Sequence, residues 1–417
     1  MLLNIQNTHT HLTGAIKITG SKSETNRLLL LQALFKGIAI ENLSNSDDGM
    51  LMQKALLSDA ETIDIHHAGT AMRFLTAYFA IQKGRKTILT GSKRMQERPI
   101  GILVDALRSL GAQIEYQKEE GYPPLCIQGT SLTKNEVTLK ANVSSQYISA
   151  LMLIGATLPE GLIITLEGKI TSVPYINMTL QLLHQLDIIA SFEGQSIKIQ
   201  PAALGELSKT ITVESDWSSA SYYYSLVALM HKHKDSHPTE ITISSYKKDS
   251  LQGDAVLAKI YTELGVTSHF ENHALTLRLD AHKELPETLT LDLSNSPDIA
   301  QTIAVSCFGL GIACDLSGLH TLKIKETDRL EALKAEITKL GGDIEVTDKT
   351  LHLKTRITPI KENCTIATYH DHRMAMAFAP LGLFVPICIE DAGVVSKSYP
   401  DFWEDLKTLG FKQEIIH

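Results

Sequence analysis

A chain of 417 residues, 43% of them hydrophobic and 21% charged, is long enough for two or three globular domains with cores of their own. Its formal net charge of −8 argues against nucleic acid as a partner, so any anion site must be a local concentration of cations in an acidic whole. The opening MLLNIQNTHTHLTG lacks a basic stretch followed by an apolar one, and no apolar run approaches the ~18 residues of a membrane span. No secretory leader and no membrane contact are therefore expected, and the chain reads as cytoplasmic. Its five cysteines, an odd number without paired spacing, read as buried free thiols in a reducing compartment.

The first predicted elements are the alternating run AIKIT and the apolar helix KSETNRLLLLQAL, joined at Gly20 and Ser21. Lys22 and Arg27 stand at the mouth of that helix, where the dipole already favours an anion. A merely solvated basic helix start is the alternative for this segment taken alone. Further along come AGTAMRFLTAYFA, SSQYISALMLIGA, WSSASYYYSLVAL, SPDIAQTIAVSCF and HDHRMAMAFAPLG, each read as a polar tip followed by an apolar helix. The six segments begin at Lys22, Ala68, Ser144, Trp217, Ser296 and His370, the first interval short and the rest nearly equal.

Between them lie amphipathic helices of a second kind: SDDGMLMQKALL, RPIGILVDALRSLG, PYINMTLQLLHQL, QGDAVLAKIYTELG, ETDRLEALKAEITKLGG and YPDFWEDLKTLG. Most are followed by a predicted hairpin, as in AQIEYQKEEGYPPLCIQG, IIASFEGQSIKIQ and DIEVTDKTLHLK. The unit is thus βαβαββ, six times over. The first repeat is shortened, with only ETIDIHH where a hairpin should stand, and the last has no hairpin after its final helix. The N-terminal residues 1–19 could supply that hairpin. The expected division is then 1–19 plus 215–417 with repeats 4–6, and an inserted domain 20–214 with repeats 1–3. Hinges near Gly20 and Val213 to Ser215 would leave a cleft on which the six tips converge. A single large α/β layer is the alternative, which the regular hairpins disfavour.

The tips carry hydroxyl and amide donors at Ser144, Ser145 and Gln146, bare backbone at Gly69, and charge at Asp371, His372 and Arg373. In order along the chain, GSKSETNR, AGTAMR, RMQERPIG, SSQY, SVPYI, SSASYY, QGD, SPDIA, KETDRL, DHRMAMAF and KSYPDFW together resemble the 5-enolpyruvylshikimate-3-phosphate synthase family. The resemblance covers nearly the whole chain. It implies an α/β fold of two inside-out barrels with three repeats each, and enolpyruvyl transfer from phosphoenolpyruvate to shikimate 3-phosphate.

By the same resemblance, shikimate 3-phosphate falls to Lys22, Ser23, Arg27, Ser144, Ser145, Gln146, Ser172, Tyr175, Asp298 and Lys325. Phosphoenolpyruvate falls to Lys22, Gly69, Arg98, Gln146, Arg329, Arg373 and Lys397. The acid and base carboxylates match Asp298 and Glu326, with His372 beside them and Lys22 a further candidate for the proton delivered to carbon. Three arginines suit the carboxylate and phosphate forks of the second substrate, and Gly69 would let backbone approach it. No metal and no cofactor are implied, and a monomer is expected. The family usually has Asn where this chain has His67 and Thr321, and Pro where it has Phe74. Two rivals remain: transfer to UDP-N-acetylglucosamine by the sister enzyme, and a non-catalytic anion-binding module. Against the first, the loop GSKRMQERPIG carries no cysteine; against the second, both Asp298 and Glu326 are present.

Overall fold

The computed structural model describes residues 1–7, 11–140, 144–168, 170, 173–202, 208–233 and 238–416. The chain divides into two units, Gly20–Val213 and Met1–Thr19 with Glu214–His417. Among the described residues there are six sheets, five of four strands and one of two. Each four-stranded sheet follows one plan. Two parallel strands flank a helix, as Thr62–Asp64 and Lys86–Thr90 flank Gly69–Ala80. The hairpin Gln113–Tyr116 and Leu125–Gln128 then adds antiparallel, its second strand innermost. Parallel neighbours require such a crossover, which is why a helix separates them in sequence.

Within the unit Gly20–Val213, the helices Lys22–Leu34, Gly69–Ala80 and Ser145–Gly155 pack on one another. Gly69–Ala80 is buried on all sides except at Thr70, and Ser145–Gly155 except at Gln146. Both exceptions lie in the first turn, at the tip. An all-round apolar helix has no solvated face, so it belongs inside, and the sheets enclose it. The second unit repeats this arrangement with Trp217–Leu229, Ala300–Leu310 and His372–Phe378.

Strand connectivity departs from the simple repeat in three places. The strand from the AIKIT region, Thr13–Ile16, takes no part in the last repeat's hairpin expected from residues 1–19; it pairs parallel with Glu240–Ser244. The sheet partner of Ile38–Glu41 is Lys209–Thr212, nearly the whole inserted segment away. Thr62–Asp64, within ETIDIHH, opens the next sheet and is no remnant hairpin. The final helix is followed by a strand, Lys412–Ile416, which pairs antiparallel with Leu2–Gln6. The last hairpin is therefore made from the two ends of the chain. A sequence pattern identifies a strand but not which sheet it joins.

At the crossing, Gly20 is a glycine by necessity: a Cβ there would lie 1.9 Å from the Asn42 carbonyl oxygen and 2.7 Å from Val213 Cγ1. All five cysteines are free; Cys307 and Cys314 are buried, but Cys126, Cys364 and Cys388 are only partly so. Among the described residues no helix is long and apolar enough to cross a membrane.

Candidate functional site

In the unit containing Glu214–His417, a cluster of charge forms where three helix starts meet. Arg329 opens the helix Arg329–Lys339, whose N-cap Asp328 accepts from the Leu330 and Glu331 amides. Asp298 lies in the short helical turn Pro297–Ile299, and Asp371 caps His372–Phe378 by accepting from Arg373 N. The Arg329 guanidinium is buried and holds three carboxylates: Asp371 at 2.6 Å, Asp298 at 2.8 Å and Glu326 at 2.8 Å. Asp298 in turn lies 3.3 Å from Lys325 Nζ and 3.4 Å from Arg373 Nη2.

Burial would raise the Asp298 carboxyl pKa, but Lys325, Arg373 and Arg329 together hold it well below the ordinary range. Burial likewise opposes the charge on Arg329, and Asp371, Glu326 and Asp298 more than restore it. Asp298 and Arg329 therefore hold one another in the charged form, as buried charges must.

Arg373 reaches further. It donates to the Asp298 carbonyl at 3.0 Å and to Ser218 Oγ at 3.1 Å. Ser218, in the first turn of Trp217–Leu229, donates its own hydrogen bond to Asp254 Oδ2, and the Asp254 carboxyl is pushed up to about 6 by burial against the opposing pull of Arg373. Lys397 donates to the His370 carbonyl at 2.7 Å, and His372 is buried with Nδ1 3.9 Å from Asp371 Oδ1.

In the unit Gly20–Val213, Lys22 opens its helix with Nζ 3.6 Å from Asp48 Oδ2, in the first turn of Asp47–Leu56. The Gln146 amide donates to Thr70 Oγ1 at 3.0 Å, which joins two tips, and Ser144 Oγ accepts from Gln146 N. Ser145 is buried in that tip.

Arg27 is not displayed at a surface. It is 2% exposed and donates to Thr179 Oγ1 at 2.8 Å, Ser149 Oγ at 3.0 Å and the Ser23 carbonyl at 2.8 Å. The Phe74 and Tyr175 rings lie 5.3 and 5.9 Å from its Cζ. Burial lowers its pKa to about 10, which still leaves it charged at neutral pH.

At Gly69 the protein itself leaves no room for a side chain. A Cβ there would lie 2.4 Å from Arg98 Nη1 and 3.0 Å from Arg98 Cζ, so the missing side chain makes room for a guanidinium. Arg73 lies buried beneath, donating to the Gly69 carbonyl at 3.2 Å and the Pro99 carbonyl at 2.9 Å. Ser172 lies outside the described residues.

Each unit thus presents cations at helix starts, the arrangement that receives phosphate or carboxylate. The sequence reading missed Asp48, Asp254, Asp371, Ser218 and Arg73 as site residues. Ser218, Asp254 and Arg73 did lie in quoted motifs (SSASYY, QGD, AGTAMR), and Asp371 was noted as charge.

A family model described as EPSP synthase (3-phosphoshikimate 1-carboxyvinyltransferase) matches residues 53–406. The chain is 47% identical over 400 residues to a 3-phosphoshikimate 1-carboxyvinyltransferase of Bacteroides fragilis, with 95% of each covered. A relative of the same name from Colwellia psychrerythraea is 34% identical over 426 residues, covering 95% of this chain and 96% of its own. Among solved structures, EPSP synthase from Acinetobacter baumannii has a TM-score of 0.79 at 19% identity, over 99% of this chain and 100% of that one. The enolpyruvyl transferase NikO from Streptomyces tendae has a TM-score of 0.74 at 16% identity, over 99% and 98%. The two-domain α/β fold expected from the motifs is the fold of these structures.

Proposed function

The chain belongs to the EPSP synthase (3-phosphoshikimate 1-carboxyvinyltransferase) family, and from that premise we propose how its helix tips divide the work. The enzyme transfers the enolpyruvyl group of phosphoenolpyruvate to the 5-hydroxyl of shikimate 3-phosphate and releases phosphate, a step of the shikimate pathway. Shikimate 3-phosphate is assigned to Lys22, Ser23, Arg27, Ser144, Ser145, Gln146, Ser172, Tyr175, Asp298 and Lys325. Phosphoenolpyruvate is assigned to Lys22, Gly69, Arg98, Gln146, Arg329, Arg373 and Lys397. Arg27 has three of its donors engaged by Thr179, Ser23 and Ser149, so its share includes positioning Ser23 and the face of Tyr175. With both substrates soluble anions, the working form is taken to be a cytoplasmic monomer.

The reaction adds the substrate hydroxyl to C2 of phosphoenolpyruvate while a proton goes to C3. Loss of phosphate from C2 and of a proton from C3 then restores the double bond. Asp298 takes the hydroxyl proton; Glu326 or Lys22 serves C3, with His372 beside them. The observation that carries this reading is Asp298 held by Lys325, Arg329 and Arg373 at once. Those cations are the ones an incoming carboxylate or phosphate would draw away, so arrival of the substrate raises the basicity of Asp298 where a base is needed. Phosphate release with shikimate 3-phosphate, and none with UDP-N-acetylglucosamine as acceptor, is the expected result. The reverse preference would overturn the assignment.

Two substitutions test the second substrate's residues. Arg373→Ala removes one charge-assisted fork, a loss of ~2–3 kcal/mol, and should raise the phosphoenolpyruvate KM roughly 30- to 150-fold. The shikimate 3-phosphate KM should stay within about threefold, on the scale of a perturbed neighbour rather than a lost contact. Equal weakening of both would place Arg373 on the wrong ligand.

Gly69→Ala should act through Arg98. The methyl must displace the guanidinium, a flexible side-chain end, so the melting temperature should hardly move. An overpacking cost at the low end of the usual range raises the phosphoenolpyruvate KM roughly tenfold. An unchanged KM would show that Arg98 is not held for that substrate.

A further inference from the structure

The helix Arg329–Lys339 carries a second buried charge that the reaction does not use. Glu336 is 1% exposed, two turns along from Arg329. Its Oε1 accepts from the Tyr369 hydroxyl at 2.8 Å and its Oε2 from the Ala367 amide at 3.2 Å, with Lys339 Nζ also on Oε2. Two of the three donors to this buried carboxylate, Ala367 and Tyr369, come from one short segment, and burying a carboxylate there is expensive unless the segment's geometry matters.

That geometry is unusual. Between the strand Cys364–Ile366 and the helix His372–Phe378, the Asp371 amide donates to the Thr368 carbonyl at 2.9 Å and closes a tight turn. Both central residues are left-handed, Tyr369 at φ 55° and His370 at φ 57°. Turns with two left-handed centres are dominated by Gly, Asn and Asp, because a Cβ crowds the following carbonyl. Tyr-His is a poor pair for such a turn. Its side chains are fastened instead: Tyr369 to Glu336, and His370 Nδ1 to Asp391 Oδ2 at 3.0 Å.

The turn also aims two parts of the site. It sets Asp371, fully buried, against Arg329 Nε at 2.6 Å, and it presents the His370 carbonyl to Lys397 Nζ at 2.7 Å. Arg373 follows Asp371 by two residues, and its backbone N–H donates to Asp371 Oδ1 at 2.9 Å. The three cations assigned to phosphoenolpyruvate in this unit therefore all take their bearings from Thr368–Asp371.

We propose that Glu336 and Tyr369 are positioning residues, a latch that holds the strained turn Thr368–Asp371 and thereby aims Arg329, Arg373 and Lys397 at the second substrate. The inference rests on the assignment of those cations to phosphoenolpyruvate. Tyr369 suits the role because burial, with the Glu336 bond adding to it, pushes its phenol up to about 12, and it remains a donor throughout the neutral range.

The test removes one atom. Tyr369→Phe should raise the phosphoenolpyruvate KM about tenfold, the scale of one lost hydrogen bond to a charged group. The shikimate 3-phosphate KM should stay near wild type, and the melting temperature should fall by no more than the loss of one hydrogen bond accounts for. An unchanged phosphoenolpyruvate KM, or a rise in both KM values together, would overturn the latch. Adding His370→Gly to Tyr369→Phe supplies a residue that accepts left-handed φ without strain. It should recover most of the lost affinity; a double variant no better than the single one would overturn the strain account. Arg373→Ala separates the two levels. If it leaves the phosphoenolpyruvate KM unmoved, the substrate assignment has failed. If it raises that KM while Tyr369→Phe is silent, the assignment stands and the latch has failed.

Discussion

Asp298→Ala is expected to lower turnover about 100-fold or more, the range for loss of a general base, while shikimate 3-phosphate affinity stays within about tenfold. The cluster adds a second, opposite expectation. Asp298 neutralises part of the charge on Lys325, Arg329 and Arg373. Without it those cations are less satisfied, and a small anion should bind as tightly as before or more tightly. Calorimetry with phosphoenolpyruvate should therefore show equal or improved affinity in a variant that hardly turns over. Asp298→Asn should share the kinetic defect, because an amide cannot take the hydroxyl proton. Near-wild-type turnover in either variant would remove Asp298 from the proton path. A fall in phosphoenolpyruvate affinity as large as the fall in turnover would mean that Asp298 organises the cations and does not oppose them.

The α/β architecture was legible because each repeat writes its burial into composition. Helices such as AGTAMRFLTAYFA and WSSASYYYSLVAL are apolar on every side, which only an interior position permits, and their polar tips therefore mark the few places where chemistry can be exposed. Strand partnership was less legible. Thr13–Ile16 and Lys209–Thr212 are both four-residue strands, and neither pattern records which sheet it completes. That information lies in chain crossings such as the one at Gly20, where tight packing against Asn42 and Val213 excludes a side chain.

The site divides the same way. Residue types at the tips pointed to anions, but the partners of those residues lie far along the chain. Arg27 reads as an anion binder from its place in GSKSETNR, yet it is enclosed by Ser149 and Thr179 from two other helices. Asp371 reads as one more tip charge, yet it is the deepest counter-ion of Arg329. Spacing can propose a charged residue; only the fold decides whether it faces a ligand or another side chain.

Arg329 tests the cluster as a whole. Arg329→Met keeps most of the volume and removes the cation that three carboxylates share, leaving Asp371 fully buried without its closest partner. Breaking one side of a buried ion pair typically costs about 3–5 kcal/mol, so this variant should lose stability on that scale as well as activity. The loss can be read in the right unit, because the chain's two tryptophans, Trp217 and Trp403, both lie within Glu214–His417. Urea unfolding followed by tryptophan fluorescence therefore reports on it directly. The pH dependence has a definite sign. In the wild type the Asp298 pKa is depressed, so its contribution is present above the unfolded value and is lost as pH falls through the folded one. In the variant one of the three depressing cations is gone and burial pushes the other way, so Asp298 protonates more readily in the folded state. The stability gap between wild type and variant should therefore narrow from pH 7 toward pH 4. Arg329→Lys should fall between the two, since one ammonium keeps the charge but cannot reach three carboxylates with a planar fork. A cost below about 1 kcal/mol, the worth of an exposed pair, or a gap that widens on acidification, would show that these carboxylates do not depend on Arg329 for their charge.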